Sequence, residues 1–157
     1  MLFNGSGMSS LKLQAVLLAE DDENDVFFLQ RALTQAEVAQ PMHRVHDGEE
    51  AIDYLRGAGA YADRSKFPLP QLMLLDLKMP RKNGFEVLAW VRAQPGLKRL
   101  PIIVLSSSKE YADINRAYDL GANTYLVKPV KFENLLKMME ALNTFWLMLA
   151  EKPSLQG

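Results

Sequence analysis

Short, unbroken apolar runs alternate along the chain with longer segments in which apolar residues recur every three or four positions. Each unbroken run predicts a strand buried on both faces, as in a parallel sheet. Apolar residues at helical spacing predict an amphipathic helix. The predicted strands are 15–19, 42–45, 72–76, 101–105 and 124–127, and the predicted helices are 23–36, 49–55, 85–93, 111–120 and 131–149.

This alternation predicts an α/β fold, a single doubly wound five-stranded parallel sheet with helices on both faces. Residues 56–71 contain two glycines, two prolines and scattered charges, which predicts a long loop inside the domain. We therefore expect a flexible leader at 1–10, one domain at 11–149 and a tail at 150–157.

Composition narrows the classes of function. The 157 residues suit one domain with a substantial core, and 48% of them are hydrophobic. Eighteen basic and nineteen acidic residues leave a net charge of −1, which provides no electrostatic basis for binding nucleic acid or a membrane surface. The absence of cysteine excludes disulfides and thiolate metal ligands. Because the chain lacks both an apolar segment of ~18 residues and a signal peptide, a cytoplasmic protein is expected.

Reactive side chains follow four of the predicted strands. Glu20 and Asp21 come after the first strand, Asp76 ends the third, Ser106 follows the fourth and Lys128 follows the fifth. In an open parallel sheet, these positions meet at the carboxyl edge. Each residue alone also has an ordinary explanation: a solvated turn for the acidic residues, a helix cap for the serine and a surface position for the lysine.

Together, these side chains suit phosphoryl transfer. Three neighbouring carboxylates repel one another unless a cation neutralises them. Oxygen ligands without histidine or cysteine suit a hard cation, above all Mg²⁺. With Mg²⁺, a lysine and a hydroxyl around it, Asp76 can attack phosphorus and form an aspartyl phosphate.

The motifs at these strand ends are AEDD at 19–22, LDLKMP at 75–80, LSS at 105–107 and YLVKP at 125–129. As a set they resemble the signature of bacterial response-regulator receiver domains, over most of the chain. The resemblance implies the flavodoxin-like fold with its strand order 2-1-3-4-5. It also implies a switch that takes a phosphoryl group from the phosphohistidine of a histidine kinase and is not otherwise an enzyme.

By this resemblance Asp76 is the phosphoacceptor, and Lys128 and Ser106 contact the phosphoryl group. The implied Mg²⁺ ligands are Glu20, Asp21, Asp76 and the backbone carbonyl of Lys78. Tyr125 is the implied switch aromatic, which acts on the surface of the fourth helix, fifth strand and fifth helix. The Lys128–Pro129 bond is expected to be cis, because the trans preference of X-Pro bonds is only ~0.5–1 kcal/mol and such receivers use this turn to aim the lysine.

The long loop at 56–71 and the C-terminal extension at 143–149 depart from a minimal receiver. Both resemble single-domain regulators that partner phytochrome-type histidine kinases and form homodimers. A histidine kinase and a second copy of the chain are therefore the expected partners.

Two other functions fit the same fold. An aspartate-nucleophile phosphatase typically has a second aspartate two residues after the nucleophile, but that position is Lys78, which cannot act as acid and base at neutral pH without a large pKa shift. A non-phosphorylated adaptor would be expected to have lost one of the site residues, and none is lost.

The apolar residues of the last predicted helix fall into two sets. One forms a stripe at helical spacing that should cover the sheet: Leu135, Met138, Met139, Leu142, Phe145 and Leu149. Outside the stripe lie Leu136, Trp146, Leu147 and Met148. Since one domain cannot bury both sides of a terminal helix, the exposed apolar side predicts a homodimer interface. The alternative is that the terminal turns fold back onto the body of the domain, against Phe67 and Pro68 of the long loop.

Overall fold

The computed structural model describes residues 14–155, so the predicted leader at 1–10 lies outside it. Within that range the strands are β1 Val16–Ala19, β2 Met42–Val45, β3 Leu72–Leu75, β4 Ile102–Ser106 and β5 Thr124–Val127. They form one parallel sheet in the order β2-β1-β3-β4-β5. The predicted fold class and strand order are confirmed.

The α-helices of this region alternate with the strands. They are α1 Glu23–Gln35, α2 Gly48–Arg56, α3 Gly84–Ala93, α4 Tyr111–Asp119 and α5 Phe132–Leu142. Side-chain oxygens of Asp22, Asp47 and Asn83 accept the backbone N–H three residues later and so cap the starts of α1, α2 and α3. These caps fix the loops at the carboxyl edge of the sheet. From residue 14 to residue 155, no helix is long and apolar enough to cross a membrane.

The sheet separates two apolar layers, because successive strand residues point to opposite faces. Leu17 and Met73 face the layer formed with α2, α3 and α4. Leu18 and Leu74 face the layer formed with α1 and α5. Both faces of the central strands are therefore buried, as their unbroken apolar runs require.

The long loop at 57–71 includes one 3₁₀ turn, Gly59–Tyr61, and packs onto the end of α2. The ring centroids of Tyr54 and Phe67 lie 6.0 Å apart. The Arg64 guanidinium donates hydrogen bonds to the carbonyls of both residues, at 2.7 and 3.2 Å. The loop is thus attached to the domain by an aromatic cluster and by one arginine.

The C-terminal helix is not a single α-helix. α5 ends at Leu142, and a π-helical segment, Asn143–Leu149, follows it. Because a π-helix closes i→i+5 hydrogen bonds, the spacing of buried positions widens beyond Leu142. As a result Leu147 is 4% exposed, whereas Phe145 and Leu149 are 57% and 68% exposed. The prediction for these three residues, based on α-helical spacing, was wrong. Trp146, also predicted to lie outside the buried stripe, is half-buried and packs against the layer formed with α1 and α5.

The segment after the π-helix returns to the body of the domain. Lys152 Nζ donates to the Leu147 carbonyl at 2.8 Å, and Arg99 donates to the Ser154 carbonyl at 3.1 Å. Leu155 packs against the apolar layer that contains α3. The chain therefore passes from the α5 face of the sheet to the α3 face.

Candidate acidic site at the carboxyl edge of the sheet

Two neighbouring strands deliver the acidic residues to the carboxyl edge. Ala19 of β1 is paired with Leu75 of β3, so the residues that follow, Glu20 and Asp76, leave the sheet at the same level. Glu20, Asp21 and Asp76 each offer a carboxylate oxygen, and these oxygens lie within 4.8 Å of one another. Glu20 and Asp76 are 3% and 6% exposed, whereas Asp21 is exposed. The structure thus brings together the three carboxylates singled out in the sequence.

Lys128 reaches this cluster from the end of β5. Its Nζ lies 2.7 Å from Glu20 Oε1, 2.8 Å from Asp25 Oδ2 and 3.6 Å from Asp76 Oδ1. Burial alone would lower the pKa of Lys128, but hydrogen bonds from its ammonium to Asp25 and Glu20 outweigh burial and raise the pKa. The lysine is therefore a permanent cation beside Asp76.

The predicted cis bond before Pro129 was wrong, since no peptide bond between residues 14 and 155 is cis. Even an X-Pro bond favours trans by ~0.5–1 kcal/mol. The Lys128 backbone N–H donates to the Ser106 carbonyl at 2.8 Å, which extends the pairing of β5 with β4 by one residue. From that position the Lys128 side chain reaches the carboxylates without a cis bond before Pro129.

The buried carboxylates have perturbed protonation equilibria. Burial raises the pKa of Glu20 to about 7, and repulsion from Asp76 adds to the rise, against a hydrogen bond from Lys128. Burial also raises the pKa of Asp76, although the charge of Lys128 opposes this. Such shifts arise where negative charge exceeds positive charge in a desolvated space. An all-oxygen donor set with surplus negative charge fits a hard divalent cation.

Ser106 and Tyr125 meet through the loop between β4 and α4. Ser106 ends β4 and is fully buried, and its Oγ accepts a hydrogen bond from the Ser108 N–H at 3.2 Å. The Tyr125 hydroxyl donates to the Ser108 carbonyl at 2.8 Å. Ser108 Oγ in turn donates to Asp113 Oδ2, in the first turn of α4, at 2.6 Å. Ser108 therefore links the two predicted residues to one helix.

The loop between β3 and α3, which begins at Asp76, makes two close backbone approaches. A Cβ atom on Gly84 would overlap the Asp76 carbonyl oxygen, and a Cβ atom on Gly48 would overlap the Lys82 carbonyl oxygen. The Gly84 N–H donates to the Leu77 carbonyl at 2.9 Å. Close packing against neighbouring backbone therefore explains why both positions are glycine. The Lys78 side chain in this loop is exposed, and its backbone N–H bonds to the Asp76 carboxylate.

Two residues at the site escaped the sequence analysis, Asp25 and Arg44. Asp25 pairs with Lys128, but an acidic residue in the first turn of a helix is common because it favours the helix dipole. Arg44 lies on β2 and donates to the Glu20 carbonyl at 2.9 Å. One arginine in a weakly apolar strand carries no signal of such a contact.

Comparison with known proteins places these features in one family. The sequence model of the response regulator receiver domain family matches residues 16–140 of this chain. Response regulator Rcp1 of Synechocystis sp. is 35% identical over 141 residues, which cover 90% of this chain and 94% of that protein.

Solved structures agree. The phosphorylated cyanobacterial phytochrome response regulator RcpA is 39% identical with a TM-score of 0.84, over 91% of this chain and all of that chain. The Mn²⁺-bound form of Rcp1 is 35% identical with a TM-score of 0.81, over 90% and 99% of the two chains. RPA3017, from red light signalling in R. palustris, is 36% identical with a TM-score of 0.86, again over 90% and 99%. Since the family model covers most of the chain and these relatives are matched along nearly all of their length, the chain belongs to the response-regulator receiver domain family.

Proposed function

We propose that this receiver domain works in a two-component phosphorelay and accepts a phosphoryl group onto Asp76, from the phosphohistidine of a sensor kinase, in a Mg²⁺-dependent reaction. The observation that carries the proposal is the convergence of Glu20, Asp21 and Asp76 with Lys128 at one edge of the sheet. A surface carboxylate needs no such surroundings, whereas a phosphoacceptor needs both cations and a buried position.

Asp76 supplies the nucleophile. One carboxylate oxygen attacks phosphorus while the bond from phosphorus to the donor histidine breaks, and the electron pair leaves on the imidazole nitrogen. Lys128 Nζ, 3.6 Å from Asp76 Oδ1, pairs with an oxygen of the new phosphoryl group. The Ser106 hydroxyl, at the end of the adjacent strand, donates to another oxygen.

Glu20, Asp21 and Asp76, with the backbone carbonyl of Lys78, are the proposed Mg²⁺ ligands. When bound, the ion neutralises the carboxylates and the charge on the transferred oxygens. The Mn²⁺-bound structure of Rcp1 supports a divalent cation in this family, and the purely oxygen donors favour Mg²⁺.

The proposed partner is a sensor histidine kinase of the phytochrome type. The similar structures include a cyanobacterial phytochrome response regulator and a regulator in red light signalling. A cavity of about 430 Å³ opens beside Lys128, between α1 and the start of α5. Phe28 and Phe132 line it, and Val130 at its rim is fully exposed. An apolar surface next to the phosphoacceptor suits the docking of a kinase helix.

A homodimer is the proposed assembly. Phe145, Met148 and Leu149 project from the π-helical segment and are all more than half exposed. Such an apolar cluster is typical of an interface rather than of a monomer surface. The near-neutral net charge supports neither nucleic acid nor a membrane as a partner, and action in the cytoplasm is part of the same proposal.

Intact-mass measurement after incubation with Mg²⁺ and acetyl phosphate tests the function. One phosphoryl adduct is expected on the wild-type protein, and none on Asp76→Asn, which keeps the shape of the side chain but removes the nucleophile. An adduct on Asp76→Asn at the wild-type rate would contradict the assignment of Asp76.

The same measurement separates the alternatives. Steady release of phosphate with many turnovers would indicate a phosphatase, and the exposed Lys78 two residues after Asp76 argues against it. Absence of an adduct in the presence of Mg²⁺ would indicate a non-phosphorylated adaptor and would refute the proposed function.

A further inference from the structure

Arg44 is an arginine of an edge strand whose side chain is nevertheless only 13% exposed. It is paired with Leu18 of β1, and from there its guanidinium extends along the sheet toward the carboxyl edge. Nε donates to the Glu20 carbonyl at 2.9 Å, and Nη2 donates to the Asp21 carbonyl at 3.3 Å. Nη1 donates to both carboxylate oxygens of Glu23, at 2.7 and 3.2 Å.

These contacts begin where the sheet ends. The Glu20 N–H still bonds to the Val45 carbonyl at 3.1 Å, as a strand residue would. Beyond it the backbone turns into α1, and the carbonyls of Glu20 and Asp21 receive side-chain donors from Arg44. The guanidinium fork thus replaces the ladder of hydrogen bonds over these two residues.

We propose that Arg44 is a positioning residue for the divalent cation, because it holds the backbone that aims the Asp21 carboxylate. Glu20 is also held by burial and by Lys128, at 2.7 Å. The Asp21 side chain is exposed, so the backbone, which sets the position of its Cβ, is the part of this residue that Arg44 can fix. This inference rests on the proposed function, in which the acidic cluster binds the ion.

Electrostatic repulsion alone predicts that Arg44 weakens cation binding, whereas positioning of Asp21 predicts that Arg44 strengthens it. A guanidinium near the acidic cluster repels a second cation and should weaken cation binding. The ion pair of Arg44 Nη1 with the Glu23 carboxylate offsets part of that charge, so that Arg44 orders the loop at a reduced electrostatic cost to the site. Positioning and repulsion therefore predict opposite signs when Arg44 is removed.

The test is the change in the dissociation constant of the cation when Arg44 is replaced. We would titrate the protein with Mn²⁺, follow the electron paramagnetic resonance signal of the free ion, and measure Mg²⁺ binding by competition. Arg44→Gln should raise the dissociation constant on the order of tenfold, the lower end of the usual effect of losing a residue that orients a metal ligand. Arg44→Lys should recover only part of the affinity, because an ammonium cannot donate to both carbonyls and to Glu23 in one plane. Arg56→Gln, which removes an exposed arginine paired with Asp53, is the matched control and should change nothing.

Phosphorylation by acetyl phosphate provides a second readout. The Mg²⁺ concentration for half-maximal rate should rise in Arg44→Gln, while the rate at saturating Mg²⁺ stays close to that of the wild type. Circular dichroism checks that each variant is folded. If Arg44→Gln does not fold, the dissociation constant of Arg44→Lys provides the test. An unchanged or lower dissociation constant in the folded variant would overturn the inference. Failure of the wild-type protein to bind either ion would instead overturn the proposed function.

Discussion

Glu20 and Asp76 are buried carboxylates that share a single nearby lysine contact, Lys128. Burial is the main cause of the raised pKa of each group. A folded protein with such groups gains a proton more easily than its unfolded chain does, and its stability then depends on pH. The site therefore has a measurable effect on stability even without phosphorylation.

In EDTA, the melting temperature should fall as pH rises from about 5 to about 7.5. A carboxyl group with a raised folded-state pKa stabilises the fold below its unfolded pKa, and this stabilisation is lost as pH rises through the folded pKa. For Glu20 the window runs from 4.5 to about 7. A fall of several degrees is expected, since ~1 kcal/mol moves the melting temperature of a domain of this size by ~2–4 °C. Scanning calorimetry measures it.

Glu20→Gln is the control for this pH dependence. It removes the titrating carboxyl group and leaves the rest of the chain unchanged, so the difference between the two profiles belongs to the acidic site. Saturating Mg²⁺ should flatten the wild-type profile, because the ion competes with the proton for the same oxygens. Identical slopes in wild type and Glu20→Gln would show that burial does not raise the pKa of Glu20.

Strand-end position made five of the site side chains predictable: Glu20, Asp21, Asp76, Ser106 and Lys128. The location of a reactive residue directly after an apolar run can be predicted from the sequence, because the carboxyl ends of parallel strands lie at one edge of the sheet. Asp25 lies in α1 and Arg44 lies in β2, and only their side chains extend to the site. Nothing in a helix-starting acid or a strand arginine distinguishes them from solvated residues.

Among the elements, the loop between β4 and α4 connects the acidic site to a surface. Ser108 accepts from the Glu110 N–H at 3.2 Å as well as binding Asp113, so it fixes the start of α4. Its carbonyl holds the Tyr125 hydroxyl, and its N–H holds Ser106 Oγ. A phosphoryl group that draws the Ser106 hydroxyl must disturb the Ser108 backbone. This linkage supports the proposed switch through Tyr125.

Ser108→Ala should loosen the first turn of α4. The variant loses the hydrogen bonds to Asp113 and Glu110, with an expected loss of about 1 kcal/mol in the free energy of unfolding. Hydrogen exchange of the amides in the first turn of α4 should become faster. Ser107→Ala is the matched control, because Ser107 is exposed where Ser108 is buried. Equal exchange in the two variants would contradict the linkage.

At the scale of the whole molecule, the π-helical segment determines which apolar residues of the C-terminal helix remain exposed to solvent. Sedimentation velocity at micromolar concentration should give a dimer for the wild type and a monomer for Phe145→Glu, since a buried unpaired carboxylate at an interface is costly. Ala93→Glu adds the same charge at an exposed position on the other face of the sheet and should remain dimeric. A monomeric wild-type protein would refute the homodimer.

The error in the terminal helix has a physical source. Periodicity identifies the buried side of a helix only while the number of residues per turn is constant. Leu142, in the α-helical part, is buried as predicted, and the disagreement starts at Phe145, after the hydrogen bonding changes. No residue pattern indicated that change. The strands of the sheet centre followed from short apolar runs, whereas the strand order was implied by the resemblance of the strand-end motifs to receiver domains.

The close approaches at Gly48 and Gly84 make the two walls of the acidic site unequal. On the wall formed by the loop after β3, Gly84 and Gly48 lie so close to neighbouring backbone that neither position has room for a Cβ atom, and we expect this loop to move little on phosphorylation. On the opposite wall, Ser108 is held by hydrogen bonds to Ser106 Oγ and from the Tyr125 hydroxyl. We therefore expect displacement on phosphorylation at α4 and β5, and an unchanged conformation of α3. A partner that distinguishes the two states must contact the α4 side, and a partner bound at α3 recognises the protein regardless of its phosphorylation.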